Sequence, residues 1–248
     1  MVQGEGDAAG NRREKHIMIS VCMATYNGAR FVEAQLKSIL DQLRASDEVV
    51  IVDDGSTDET VEMIKQLKDS RVQLIENTSN HGPIGGFMKA IQHAKGDYLF
   101  LSDQDDVWLP DKVDKVMAAF EKQQAKLVVH DGIVTDQSLK PIDNSWNHFS
   151  HRIPSHSLLK TLIKNGYTGA MMAFSRELVP LILPFPKNLP MHDWWIAVVA
   201  LKHHMKIVVL SDKLMYYRRH AGNVTGRHKQ IPEMIRFRLR MLASLRNA

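Results

Sequence analysis

Glu48-Val49-Val50-Ile51-Val52-Asp53-Asp54-Gly55-Ser56-Thr57-Asp58-Glu59 opens on a short β-branched run and closes on acidic, turn-forming residues. The run 48–52 reads as a buried strand. Ser56 and Glu59 have the spacing of a capping box and predict a helix over 57–68. Asp53, Asp54 and Gly55 then lie on the loop at the C-terminal end of a strand, the edge where open α/β sheets gather ligands.

The same unit repeats on both sides. A strand over 17–23 precedes a helix over 31–43, a strand over 72–75 precedes a helix over 85–94, and a further strand covers 98–101. Strands alternating with helical patterns are the signature of a parallel sheet with crossover helices, so the fold class is α/β. Beyond Asp106 the regularity loosens. A helix is expected over 110–123, a strand over 127–135, a turn-rich excursion over 139–146 and a helix over 157–164. A strand-like stretch over 168–174, a helix over 192–204 and closing strands over 206–210 and 214–218 follow. One domain is expected over 17–226, preceded by a disordered leader 1–16 and followed by a basic amphipathic tail 227–248.

The 248 residues, 44% hydrophobic and 24% charged, suffice for a sizeable core and do not fit disorder. The single Cys22 lies in an apolar run and reads as a buried small hydrophobe; with no disulfide to form, a reducing compartment fits. The longest apolar stretch, Trp194 to Leu201, is far short of the roughly 20 residues of a membrane span. Net charge is +4, yet from Arg218 onward eight Lys and Arg face only Glu233. That concentration points to a diphosphate or a lipid headgroup surface near the C-terminus rather than to a basic protein overall, and no nucleic-acid partner is expected.

Five segments carry candidate chemistry. Thr25-Tyr26-Asn27-Gly28 follows the first strand and can offer backbone N–H groups, a hydroxyl and an aromatic face, although a plain turn would look the same. Asp53 and Asp54 can accept from a base or a ribose hydroxyl. Ser102-Asp103-Gln104-Asp105-Asp106 crowds carboxylates at a strand end, where mutual repulsion calls for a divalent cation, Mg²⁺ or Mn²⁺. An EF-hand is excluded there, since Trp108 stands where glycine is needed and Val107 where an oxygen ligand is needed. Met191-His192-Asp193-Trp194-Trp195 begins a helix; Asp193 is a helix-dipole charge or a functional carboxylate, and Trp194 and Trp195 could exclude water and form a platform for a sugar ring. Finally, Tyr216 to Asn223 offers His220 to a metal shell, and strand alternation puts Arg218 on the same face, with Arg219 towards solvent.

Taken in order, Thr25-Tyr26-Asn27, Asp53-Asp54-Gly55-Ser56, Asn80 to Gly86, Asp103-Gln104-Asp105 and His192-Asp193-Trp194-Trp195 resemble the inverting family 2 glycosyltransferases over about residues 17–226. The resemblance implies the GT-A fold, a mixed, mostly parallel sheet flanked by helices, with a nucleotide-binding half (17–106) and an acceptor-binding half (107–226). It implies transfer from a nucleotide-diphosphate sugar to a saccharide or lipid-linked saccharide acceptor in polysaccharide synthesis. Thr25, Tyr26, Asn27, Asp54, Gly86, Asp103 and Arg218 would serve the nucleotide. Asp105, Asp103 and His220 would serve Mg²⁺ or Mn²⁺, and Asp193 would be the catalytic base. Gly169, His192, Trp194 and Trp195 would face the acceptor. The ending Tyr217 to Asn223 resembles the bacterial polysaccharide branch, which includes rhamnosyltransferases, so thymidine-diphosphate rhamnose or a uridine-diphosphate hexose is the expected donor.

Two other classes compete. A nucleotidyltransferase would share the sheet and acidic site but needs a glycine-rich, basic phosphate loop after the first strand, which is missing. A catalytically silent carbohydrate-binding relative would not need Asp103, Asp105 and Asp193 together. In the tail, Ile235, Leu239 and Leu242 share a broad apolar side interrupted by Arg238. It reads as a peripheral membrane contact, or as packing on the domain or a partner subunit. The expected location is cytoplasmic, including the inner face of the membrane.

Overall fold

In the computed structural model, residues 17–187, 189–223 and 231–245 are described. The expected leader 1–16, the junction 224–230 and the tail end 246–248 lie outside the described residues, as does Asn188.

The first half alternates as the sequence predicts: β1 (Ile19–Thr25), α1 (Val32–Leu40), β2 (Glu48–Asp53), α2 (Thr60–Gln66), β3 (Val72–Glu76), α3 (Gly82–His93) and β4 (Tyr98–Asp103). The second half comprises β5 (Val107–Trp108), α4 (Lys112–Gln123), β6 (Leu127–Thr135), β7 (Pro141–Asp143), α5 (Trp146–Ser150) and α6 (Leu158–Ile163). It continues with β8 (Met172–Ser175), α7 (Val179–Ile182), α8 (His192–Lys202), β9 (Ile207–Arg218) and α9 (Ile231–Leu245).

Among the described residues the strands form one sheet in the order β3-β2-β1-β4-β8-β6-β9-β5, with β7 on β6. Pairing is parallel through β3-β2-β1-β4 and again between β6 and β9, while β8 runs antiparallel to both of its neighbours. β2 is buried along its whole length, which explains its unbroken apolar run: helices cover both faces of a parallel sheet. α1 turns Val32, Leu36, Ile39 and Leu40 inward at helical spacing. These side chains join one apolar cluster that runs from Ile19 to Leu245. Each large member contributes about 1.5–3 kcal/mol by leaving water.

Sheet order reverses direction between β1 and β4, with Ala24 registered on Asp103. Strands on either side of such a switch point send their connections to opposite faces, which leaves a crevice beyond their C-terminal ends.

Several local expectations change. The two closing strands are one, β9, because bulges in its pairing with β6 carry it past the polar Ser211-Asp212-Lys213 step. The stretch 168–174 starts as a 3-10 turn over Gly169–Met171 before β8, and the excursion 139–146 contains β7. The capping box does not form. Ser56 Oγ donates to Asp53 Oδ2 at 2.6 Å instead, and α2 begins only after Glu59.

Candidate active site

At the end of β1, Thr25 Oγ1 donates to Asp53 Oδ2 (2.8 Å), and Asn27 takes a left-handed backbone (φ 48°) while its Oδ1 accepts from Thr57 N at 2.8 Å. Gln104 grips the same loop at two points, accepting from Tyr26 N at 2.9 Å and donating to Tyr26 O at 3.0 Å. The first loop and the acidic loop are therefore one unit, with Tyr26 half exposed beside it. Asp54 is buried and receives Asn77 Nδ2 and the backbone N–H groups of His81 and Gly82, within 2.6–3.0 Å. Its carboxylate lines the cavity, but its acceptor positions are spent on fixing the entrance to α3.

The acidic loop brings Asp103, Asp105 and Asp106 together, each offering an oxygen within 4.8 Å of the others. Asp105 Oδ2 lies 2.7 Å from His220 Nε2 and accepts from Asn223 Nδ2 at 3.2 Å. Asp106 is buried: its Oδ1 accepts from Arg218 N at 3.0 Å, and its Oδ2 has no partner. Burial, then the neighbouring carboxylates, pushes Asp103 and Asp106 well above the usual carboxylate range. Compensation comes from Lys112, which is also buried, with Nζ 3.0 Å from Ala170 O and 4.1 Å from the Trp108 ring centre. Burial pulls the lysine down to about 7 against the opposing pull of Asp106 and Asp103. Hard oxygen donors, an adjacent imidazole and an unpartnered buried carboxylate oxygen fit a divalent cation.

Asp193 sits in the first turn of α8, buried. Its Oδ1 accepts from Asn165 Nδ2 (3.1 Å) and Trp194 N (2.6 Å), and its Oδ2 from Gly169 N (3.2 Å). His192 stacks on Phe87 with ring centres 4.2 Å apart, and neither of its ring nitrogens has a partner. Gly169 must lack a side chain, since a Cβ there would fall 2.7 Å from His192 Nε2.

These groups meet at one cavity of about 440 Å³ at the β1/β4 switch point. Thr25, Tyr26, Asn27, Asp54, Asp103, Asp105, Gly169, His192, Asp193 and His220 all line it. Its size suits a small-molecule ligand.

Four of the expected site residues do not line it. Gly86 packs α3 on β1, where a Cβ would fall 2.8 Å from that of Ala24. Trp194 and Trp195 are core residues, because α8 is buried all round from His192 to Ala200. Their indole N–H groups donate to Thr161 O (2.6 Å) and Ile182 O (2.9 Å), so they anchor the helix that carries Asp193 instead of offering a platform. Arg218 is buried behind the site, its guanidinium 4.7 Å from the Phe31 ring centre and bonded to Gln137 O at 3.1 Å. Arg219 reaches the other way, over Phe149.

Lys112, Phe31, Phe87 and Asn165 went unread in the sequence. Phe31 supports both Arg218 and, at 4.8 Å between ring centres, His220. An aromatic or a lysine at or within a helix carries no signal that distinguishes it from ordinary core or surface, and Asn165 before Gly166 reads as an ordinary turn.

Residues 20–181 match the model of glycosyl transferase family 2. An uncharacterized glycosyltransferase of Nostoc sp. is 29% identical over 83% of this chain and 66% of its own length. A dTDP-rhamnosyl transferase of Shigella flexneri is 24% identical over 82% of this chain and 73% of its own length. The chain spans between 40% and 66% of the length of the first three curated relatives it matches. Staphylococcus aureus TarS 1–349 in complex with UDP-GlcNAc superimposes with a TM-score of 0.72 at 20% identity, over 92% of this chain and 67% of that one, so the GT-A fold is shared. With the family model covering well over half of the chain, on a GT-A sheet whose switch point holds the site, this protein belongs to glycosyl transferase family 2.

Proposed function

We propose that the chain transfers a sugar from a nucleotide-diphosphate donor to a saccharide acceptor with inversion at the anomeric carbon. The observation that carries this reading is the meeting, in one cavity, of the Asp103/Asp105/His220 cluster and the separate, backbone-held carboxylate of Asp193. The region 17–106 would take the nucleotide and 107–226 the acceptor.

Thr25, Tyr26 and Asn27 form the rim for the nucleoside, and the Gln104 clamp keeps that rim in register with the acidic loop. Asp54 acts by fixing the 77–82 segment of that rim. Asp103, Asp105 and His220 would hold Mg²⁺ or Mn²⁺, with Asp106 behind them. When bound, the cation supplies positive charge to the leaving diphosphate, where negative charge grows most in the transition state.

Asp193 is oriented by three donors, and the single Gly169 N–H on Oδ2 leaves that oxygen lone-pair capacity for an acceptor hydroxyl. An ordinary carboxylate is far too weak to deprotonate an alcohol in advance, so the proton moves to Asp193 as the new glycosidic bond forms. His192 and Gly169 border the same space and would contact the sugars.

The Shigella relative supports thymidine-diphosphate rhamnose as a donor to try first, beside uridine-diphosphate hexoses. Among the described residues no helix is long and apolar enough to cross a membrane. The deciding experiment is a donor screen, following nucleoside diphosphate release with and without Mn²⁺. Metal-dependent release from a nucleotide sugar supports the reading. Pyrophosphate release from a nucleoside triphosphate would make the chain a nucleotidyltransferase, and no turnover of any donor would leave a carbohydrate-binding relative.

A further inference from the structure

Among the described residues, two neighbouring helices of the second half each carry exposed apolar side chains on one face. On α6, Leu159 and Ile163 are 68% and 53% exposed, four residues apart and therefore on one face. On α9, Ile235, Leu239 and Leu242 are 49%, 61% and 46% exposed at spacings of four and three, again one face. Exposed large apolar residues scattered singly are ordinary, whereas a contiguous stripe marks an interaction surface.

Three sides of α9 can be distinguished among its described side chains. Met241 and Leu245 are buried against the domain, and Lys202 Nζ donates to Leu245 O at 2.7 Å. The second side is the Ile235-Leu239-Leu242 stripe. Arg236 and Arg240, both exposed, occupy the third. Arg238, which reads in sequence as an interruption of the apolar side, lies on the flank between the buried side and the stripe. Its Nε donates to Ile163 O at 2.9 Å. That bond seats the end of α6 beside the flank of the stripe, so the two apolar faces lie on adjacent elements, an α6–α9 ridge. Exposed Lys160 borders that ridge on α6.

We infer that this α6–α9 ridge is a docking surface for an anionic lipid bilayer. Charge complementarity argues for that occupant over a second copy of the chain. Arg236, Arg240 and Lys160 would face one another's like charges in a symmetric dimer, but would face negative headgroups on a membrane, each contributing roughly a fivefold gain in partitioning. Apolar side chains bordered by arginine and lysine are the composition of a helix lying in the bilayer interface.

The ridge also stands next to the acceptor side of the cavity. Trp194 Nε1 donates to Thr161 O in the middle of α6, and Asn165, just past the end of α6, donates to Asp193. A bilayer seated on the ridge would therefore present a lipid-carried acceptor near Asp193. This last step rests on the proposed glycosyl transfer; the docking itself does not.

The test is co-sedimentation of the full chain with vesicles of phosphatidylcholine alone or with about 30% phosphatidylglycerol, at low and high salt. Sugar nucleotide is left out, and light scattering reports the oligomeric state. Binding is expected to the anionic vesicles only and to weaken with salt. Arg236→Ala with Arg240→Ala should lower partitioning roughly 25-fold. Leu159→Glu with Leu239→Glu should abolish it while leaving donor hydrolysis in solution unchanged. These side chains are already exposed, and an unchanged melting temperature will show that the variants fold. The inference is overturned by wild-type chain that ignores anionic vesicles, by binding that survives the ridge substitutions, or by a dimer that those substitutions dissociate. Failure of the transfer reading would appear separately, as absent donor turnover with vesicle binding intact.

Discussion

Asp105 and His220 stand 115 residues apart in sequence, yet Oδ2 of one lies 2.7 Å from Nε2 of the other. The contact joins the acidic loop after β4 to the segment after β9, and Asn223 adds a second bond to the same carboxylate oxygen. Both side chains are only about 15% exposed, so the pair is shielded from bulk solvent while opening onto the cavity. Carboxylate and imidazole are also both metal ligands, and a cation would bring them into one shell.

Asp105→Asn should therefore lose metal-dependent donor affinity by at least about 100-fold, beyond the 10–100-fold range of outer-shell partners, and His220→Ala should lose less. Calorimetric titration of a nucleoside diphosphate with and without Mn²⁺ measures this. Equal metal-dependent affinity in wild type and D105N would remove Asp105 from the metal set.

Asp193→Asn keeps one acceptor oxygen, enough for either Trp194 N or Gly169 N but not both, and removes the proposed base. Turnover should fall roughly 10²–10⁴-fold, the usual worth of a positioned general base, with donor affinity unchanged. A variant that transfers sugar at near wild-type rate would disprove the assignment.

Lys112 Nζ donates to Ala170 O and, when charged, attracts buried Asp106 and half-buried Asp103. Lys112→Met leaves Ala170 O without its donor and the carboxylates without a nearby amine, and should cost roughly 1–3 kcal/mol, the usual penalty for a buried polar group left unsatisfied. Mn²⁺ should restore part of the loss by substituting for the missing charge. Denaturant unfolding at about pH 6, below the value of about 7 to which burial pulls the amine, with and without the metal, tests both statements; a loss below about 0.5 kcal/mol would show that the amine does not compensate the cluster.

Burial holds His192 below the usual histidine range, against the upward pull of Asp193. A depressed histidine binds fewer protons folded than unfolded, so its contribution to stability is present above the unfolded value near 6.5 and is lost as pH falls below it. Wild type should therefore lose stability relative to His192→Gln between about pH 6.5 and 5, by at most about 1.4 kcal/mol per pH unit, the slope for one proton. Comparing the two proteins cancels the acidic cluster, which titrates in both. A pH-independent difference in unfolding free energy would show that His192 is not held neutral.

The sheet was legible because its signals are local. Continuous apolar runs such as Val49 to Val52, followed by Asp53-Asp54-Gly55, identify strands whose C-terminal ends point one way, and a parallel sheet then places their loops at one edge. The same logic made Asp103 and Asp105 readable, since several carboxylates at a strand end need a compensating charge whatever surrounds them.

What the sequence by itself determined was the α/β class and the acidic loop. Each is written in adjacent residues whose periodicity or repulsion has one simple resolution. Tertiary structure alone decided which neighbours share a space. It sent Trp194 and Trp195 into the core while Asp193, one position away, faces the cavity, because a helix buried all round gives adjacent residues different surroundings at 100° steps. It also withdrew Arg218 onto Phe31 and left His220 at Asp105, and it set Lys112 behind the carboxylates. Those placements depend on contacts between residues tens to more than a hundred positions apart, which no local pattern encodes.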